Sequence, residues 1–133
     1  MAVAPDSAIA SFEDLRGKTV AVKNGTEGKT YAESLKDQYG FEVTILEDSP
    51  TMYQTVVGGQ AAACFEDTPI MKASIKDGAL ALKVLEDTAS APAPYGFALF
   101  SEDSQELLDM FNKGLADIKA NGKYDEILAK YLG

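Results

Sequence analysis

Lys18-Thr19-Val20-Ala21-Val22-Lys23-Asn24-Gly25-Thr26-Glu27-Gly28-Lys29-Thr30, KTVAVKNGTEGKT, passes from an apolar run through a glycine-containing turn into a Gly-Lys-Thr triplet. Lys18 to Val22 reads as a strand, and Gly28 to Gln38 as a helix with Tyr31, Ala32 and Leu35 on one face. The junction is a strand-to-helix turn that either cradles a phosphate or serves another small ligand. A phosphate loop of the form G-x-x-x-x-G-K-[ST] needs a spacer long enough to wrap the β-phosphate with inward N–H groups. Here Lys23 stands where the first glycine should, and Gly25 leaves a spacer of two residues. The plainer reading is an ordinary turn whose glycines supply positive φ.

Working outward, the chain keeps alternating short apolar runs with amphipathic segments. GFEVTIL (Gly40 to Leu46) is a second strand, and Ser49-Pro50 caps and opens a helix with Met52, Val56 and Val57 at core spacing. Gly58-Gly59 ends that helix, and Ala61 to Phe65 is a third strand. Asp67-Thr68-Pro69 opens another helix that closes near Asp77-Gly78, and Leu80 to Leu85 (LALKVL) is a fourth strand. This βαβαβαβ order predicts an α/β fold: a doubly wound, mostly parallel sheet with helices on both faces.

Beyond Leu85, EDTASAPAP is a polar, Pro-rich connector, and YGFALF (Tyr95 to Phe100) alternates like a returning strand. Two helices follow. Leu107, Leu108, Phe111, Leu115 and Ile118 make one apolar stripe; Asn121-Gly122 breaks the chain; Tyr124, Ile127, Leu128, Tyr131 and Leu132 make the second. A sheet already covered by its crossover helices leaves these stripes in need of another surface.

Composition limits the chemistry. With 133 residues, 46% of them hydrophobic, the chain buries one core and is short for two full domains. A net charge of -9 argues against nucleic acid and anionic membrane partners. Histidine is absent, which removes the usual general base and zinc ligand. No catalytic residue, metal site or cofactor is expected. The lone Cys64 lies in an apolar run and reads as a buried thiol. The amino-terminal MAVAPDSAIASFEDL lacks the basic-then-apolar pattern of a signal peptide.

The turn sits at the carboxyl end of the first strand, where doubly wound sheets bind ligands and helix N-termini present N–H groups. Lys23, the Gly25-Thr26-Glu27-Gly28 turn, Glu66 and Asp67 are therefore expected to line one cleft. Two readings of Asp67 are open: a cap on the helix begun by Thr68-Pro69, or a carboxylate turned to a ligand. Glu66 and Lys23 likewise read either as site residues or as solvated charges at strand ends.

LRGKTVAVKNGTEG, TMYQTVVGGQAAACFEDTPI and YGFALFSEDSQELLDMFNKGLADIKANGKYDEILAKYLG resemble the second lobe and carboxyl-terminal helices of extracytoplasmic polar amino-acid-binding proteins that feed ABC importers, glutamine binders especially. The resemblance covers essentially the whole chain. It implies one lobe of a type II periplasmic-binding-protein fold: residues 1–133, with hinge-type strands at 2–5 and 95–100, a βαβ core at 17–86, and terminal helices at 104–132 that normally pack on a first lobe absent from this sequence. It further implies that Lys23 meets the ligand's side-chain end, that the Gly25 to Gly28 turn offers backbone N–H groups, and that Asp67 pairs with the α-ammonium. An ammonium's three donors favour such a carboxylate once closure expels water. Departures appear at Glu27, where many glutamine binders have a small residue, and at Glu66, a variable position. The only arginine, Arg16, stands before the first strand and cannot supply the arginine that the family's first lobe offers to the α-carboxylate.

The expected function is therefore binding of a polar L-amino acid, glutamine first, outside the cytoplasm. Implied partners are a membrane permease of an ABC transporter and either the first lobe or a second copy of the chain, swapped through 104–132. The alternatives are a small P-loop-like nucleotide-binding enzyme using Lys29, Thr30 and Asp67, or a sensor input domain of the same fold.

Overall fold

A computed structural model describes residues 1–91, 94–101 and 104–132; Pro92 and Ala93 of the connector, and the side chain of Leu132, lie outside the described residues. The chain divides into two compact units, Met1–Ala91 and Pro92–Gly133.

The first unit holds a five-stranded sheet: β1 (Ala2–Val3), β2 (Thr19–Lys23), β3 (Glu42–Leu46), β4 (Ala63–Phe65) and β5 (Lys83–Val84), in the order β3-β2-β4-β1-β5. β2 pairs in parallel with β3, from Thr19 opposite Glu42 to Lys23 opposite Leu46, and with β4, from Val20 opposite Ala63 to Val22 opposite Phe65. β1 runs antiparallel to both β4 and β5. The fourth strand expected at 80–85 is thus only Lys83–Val84, and it reaches the sheet through β1 instead of beside β4. Of the segment 2–5, expected as a strand, Ala2–Val3 forms β1.

The helices are α1 (Glu27–Tyr39), α2 (Ser49–Val57) and α3 (Thr68–Gly78), each a crossover between parallel strands. Alternation along the strands separates two cores, as a period of two requires. Val3, Val20, Val22, Ala63 and Phe65 face α1 together with Ile9, Leu15, Ala32 and Phe41. Ala2, Ala21 and Cys64 face α2 and α3 together with Met52, Tyr53, Val56 and Met71. Helices therefore cover both faces, as the element order predicts. Phe12 stacks on Phe65 with ring centroids 6.1 Å apart and meets Tyr31 edge-on, fastening the segment before β2 over α1.

The second unit holds α4 (Gln105–Ala120) and α5 (Lys123–Leu132), which pack on each other across Asn121-Gly122. Residues 94–101 carry no strand, in contrast to the returning strand expected at 95–100. The reason is local: Phe97 stacks on Phe111 of α4, centroids 4.0 Å apart, so this segment packs against a helix instead of entering a ladder. Leu108, Leu115, Ile118 and Tyr124 are half-buried, but α4 has no fully buried residue. Leu107, Met110, Phe111, Ile127, Leu128 and Tyr131 are exposed.

Candidate functional site

The strand-to-helix turn occupies only Asn24, Gly25 and Thr26, too short to encircle a phosphate. Asn24 N–H donates to the Leu46 carbonyl at 2.8 Å, tying the turn to the end of β3. Gly25 has φ +69°, a conformation costly for any side chain. Thr26 is the N-cap of α1: its Oγ1 accepts from Lys29 N–H at 3.3 Å and donates to the Lys23 carbonyl at 2.8 Å. Its hydroxyl is thus engaged in the cap, and what the turn can offer a ligand is backbone. The first-turn N–H groups of a helix lack acceptors within it and carry the positive end of its dipole. Glu27 is exposed in that first turn.

Gly28 fixes where α1 begins relative to the sheet. It is buried, and a Cβ built on it would stand 2.7 Å from the Phe65 carbonyl oxygen and 3.4 Å from Glu66 N. The first turn of α1 therefore lies directly on the end of β4, bringing the Gly25 to Gly28 turn and Glu66 to the same edge of the sheet.

Glu66 is held by three neighbouring residues. Its Oε2 accepts from Ser49 Oγ at 2.8 Å and lies 4.0 Å from Lys23 Nζ; its Oε1 accepts from Asp67 N–H at 3.3 Å. Only 3% of its side chain is exposed, against 32% for Lys23. The solvated-charge alternative for Glu66 therefore fails: a carboxylate this enclosed depends on its donors and on its cation.

Asp67 occupies the N-cap position of α3, yet its side chain makes no capping hydrogen bond. It is half-buried and directly follows the enclosed Glu66. The capping bond expected on the plainer of the two readings is not formed.

Two residues of this edge were misassigned or missed from sequence. Asp48, not Ser49, caps α2, accepting from Thr51 N–H at 2.8 Å and Thr51 Oγ1 at 3.0 Å. Those bonds hold its carboxyl below the ordinary aspartate value. Ser49 instead turns its hydroxyl to Glu66. The D-S-P-T pattern, an acid three residues before a threonine at a helix start, carries the signal for the cap.

The starts of α1, α2 and α3 thus lie together at the carboxyl edge of the parallel strands, around Lys23, Ser49, Glu66 and Asp67. Arg16 belongs elsewhere, its guanidinium lying over Gly40 beyond the other end of α1. Cys64 is fully buried, and burial pushes its thiol up to about 12, so it takes no part. Among the described residues no cluster of three or more cysteine, aspartate or glutamate side chains is placed to hold a metal ion.

The carboxyl edge of this α/β unit thus gathers helix N-termini, a lysine and two carboxylates. Residues 8–133 match the bacterial extracellular solute-binding proteins, family 3, and the chain belongs to that family. It is 30% identical over 121 residues to the ABC transporter arginine-binding protein 1 of Escherichia coli (strain K12), covering 88% of this chain and 48% of that protein. The chain spans about half the length of the curated relatives it matches. Among solved structures it is similar to substrate binding domain 2 of Lactococcus lactis GlnP in open conformation, with 38% identity, a TM-score of 0.72, and coverage of 98% of this chain and 56% of that one. It is also similar to an ancestral arginine-binding protein bound to glutamine, with 30% identity, a TM-score of 0.77, and coverage of 99% and 58%.

Proposed function

We propose that this chain is a ligand-contacting lobe of an extracytoplasmic amino-acid-binding protein that delivers its ligand to the permease of an ABC importer. The observation that carries the proposal is the meeting, at one sheet edge, of Asp67, the N-terminus of α1 and the Lys23–Glu66 pair. In this reading Asp67 takes the α-ammonium, the Gly25 to Gly28 turn supplies backbone donors, and Lys23 meets the end of the ligand's side chain. Glutamine fits that end best, because an amide both donates and accepts and so matches a lysine already offset by a carboxylate. The arginine-binding relative makes a cationic amino acid the competing ligand.

Closure of this lobe on a first lobe would complete the site and shift the population toward the closed form. Alone, the chain retains about half the contacts while the ligand's immobilisation still costs roughly several kcal/mol. Calorimetric titration with glutamine, arginine and histidine tests the reading. Weak binding led by glutamine supports it; arginine binding most tightly overturns the choice of ligand, and no binding to any of the three overturns the function.

The exposed apolar residues of α4 and α5 support a second part of the proposal. They form a surface for a first lobe in a longer chain and, in its absence, for a second copy, including exchange of the helices at 104–132. Light scattering that finds a monomer at every concentration, with no binding of an apolar dye, contradicts this.

A further inference from the structure

The side-chain end of the proposed site contains a cation that a ligand can reach and a carboxylate that it cannot. Lys23 is partly open, whereas Glu66 lies behind it, its oxygens turned to Ser49 Oγ, Asp67 N–H and Lys23 Nζ. Glu66 is therefore poorly placed for direct contact with a ligand. Its charge still acts on Lys23 across 4.0 Å of partly dehydrated space, where water and salt screen weakly.

We infer that Glu66 is a specificity-determining residue: it offsets Lys23 from within the lobe and so makes the site accept a neutral amide while rejecting the isosteric carboxylate, separating glutamine from glutamate. The inference rests on the function proposed above. Without Glu66, a half-exposed ammonium would attract the terminal carboxylate of glutamate at least as well as an amide. With it, a third charge approaching this edge meets a pair that is already matched and a second carboxylate close behind. Selectivity between ligands of one shape comes from such a repulsive element as much as from attraction. The Ser49 and Asp67 bonds hold the carboxylate in place, so its effect is exerted through position and charge.

The test is an NMR-detected titration of the whole 133-residue chain with L-glutamine and, separately, L-glutamate. It compares the parent with Glu66→Gln, which keeps the shape and removes the charge, and with Lys23→Met. In Glu66→Gln the preference for glutamine over glutamate is expected to fall by about tenfold or more. In Lys23→Met, where Glu66 stands behind this edge without its cation, the preference is expected to rise. A structural role alone would weaken both ligands by the same factor, and a ratio unchanged in either folded variant overturns the inference. If the parent binds glutamine while the ratios stay fixed, only this inference fails. If the parent binds neither ligand, the choice of glutamine fails with it, and the titrations with arginine and histidine decide whether the proposed function fails as well.

Discussion

Gly28→Ala is the most informative single change to the scaffold, because one atom tests whether α1 rests on β4. The new Cβ would stand 2.7 Å from the Phe65 carbonyl oxygen and 3.1 Å from its carbon, both backbone atoms within the sheet. No rotamer change relieves such a contact, so helix and strand must separate by several tenths of an ångström. Overpacking of this kind costs typically about 1–3 kcal/mol. Against it stands the gain from replacing glycine in a helix, at most about 1 kcal/mol and smaller in a first turn. The net expectation is a loss of about 1–2 kcal/mol, and each kcal/mol lowers Tm by roughly 4–8 °C in a unit of this size. Urea denaturation followed by circular dichroism should show a lower midpoint with an unchanged slope. Gly114→Ala supplies the contrast: Gly114 lies in α4 with nothing within 4 Å of its Cβ position, so that change should increase helix stability. A Gly28→Ala chain as stable as the parent would refute the close approach and, with it, the shared edge of turn and Glu66.

Three other outcomes follow from the same geometry. Asp67→Asn should weaken binding of the proposed amino acid about tenfold or more, measured by calorimetry, without removing a capping bond from α3; undiminished binding removes Asp67 from the ammonium site. Asp14 accepts from Ala10 N–H and Ser11 N–H, as Asp48 does from Thr51 N–H, and both carboxyls are held below the ordinary 3.8. Their stabilisation is complete above that value and lost as pH falls through the lower folded values, so Asp48→Ala should reduce stability at neutral pH and flatten its decline in acid, as urea midpoints across pH will check. Cys64 should resist a thiol reagent in the folded chain and react at once in denaturant, and rapid reaction without denaturant would contradict its burial and raised pKa.

The parallel core and its crossover helices were legible because each strand is a short apolar run and each helix begins or ends at a turn residue. Placement within the sheet was less so. The order of Leu80 to Leu85 in the chain suggests a neighbour for β4, but pairing partners are set by tertiary contacts, and Ala2–Val3 inserts between them. YGFALF alternates as a strand should, yet Phe97 finds a ring on α4, and stacking decides its place. The left-handed cap of α3 falls on Ala79, φ +47°, one residue past the glycine that the sequence offers. Strand ends and turn residues pointed to the edge at which Lys23, the turn and Glu66 come together. The burial of Glu66 was hidden, because its enclosure depends on Ser49, 17 positions away, and on the seating of α1 against Phe65.

The central claim is that the carboxyl edge around Asp67 and the start of α1 receives the amino acid. Backbone amide shifts of isotope-labelled chain, followed while glutamine is added, test it most directly. Saturable movement concentrated at Gly25 to Gly28, Ser49 and Glu66 to Asp67 is the result expected. Saturable movement confined to the opposite edge, around Arg16 and Gly40, or no movement at all, would contradict it.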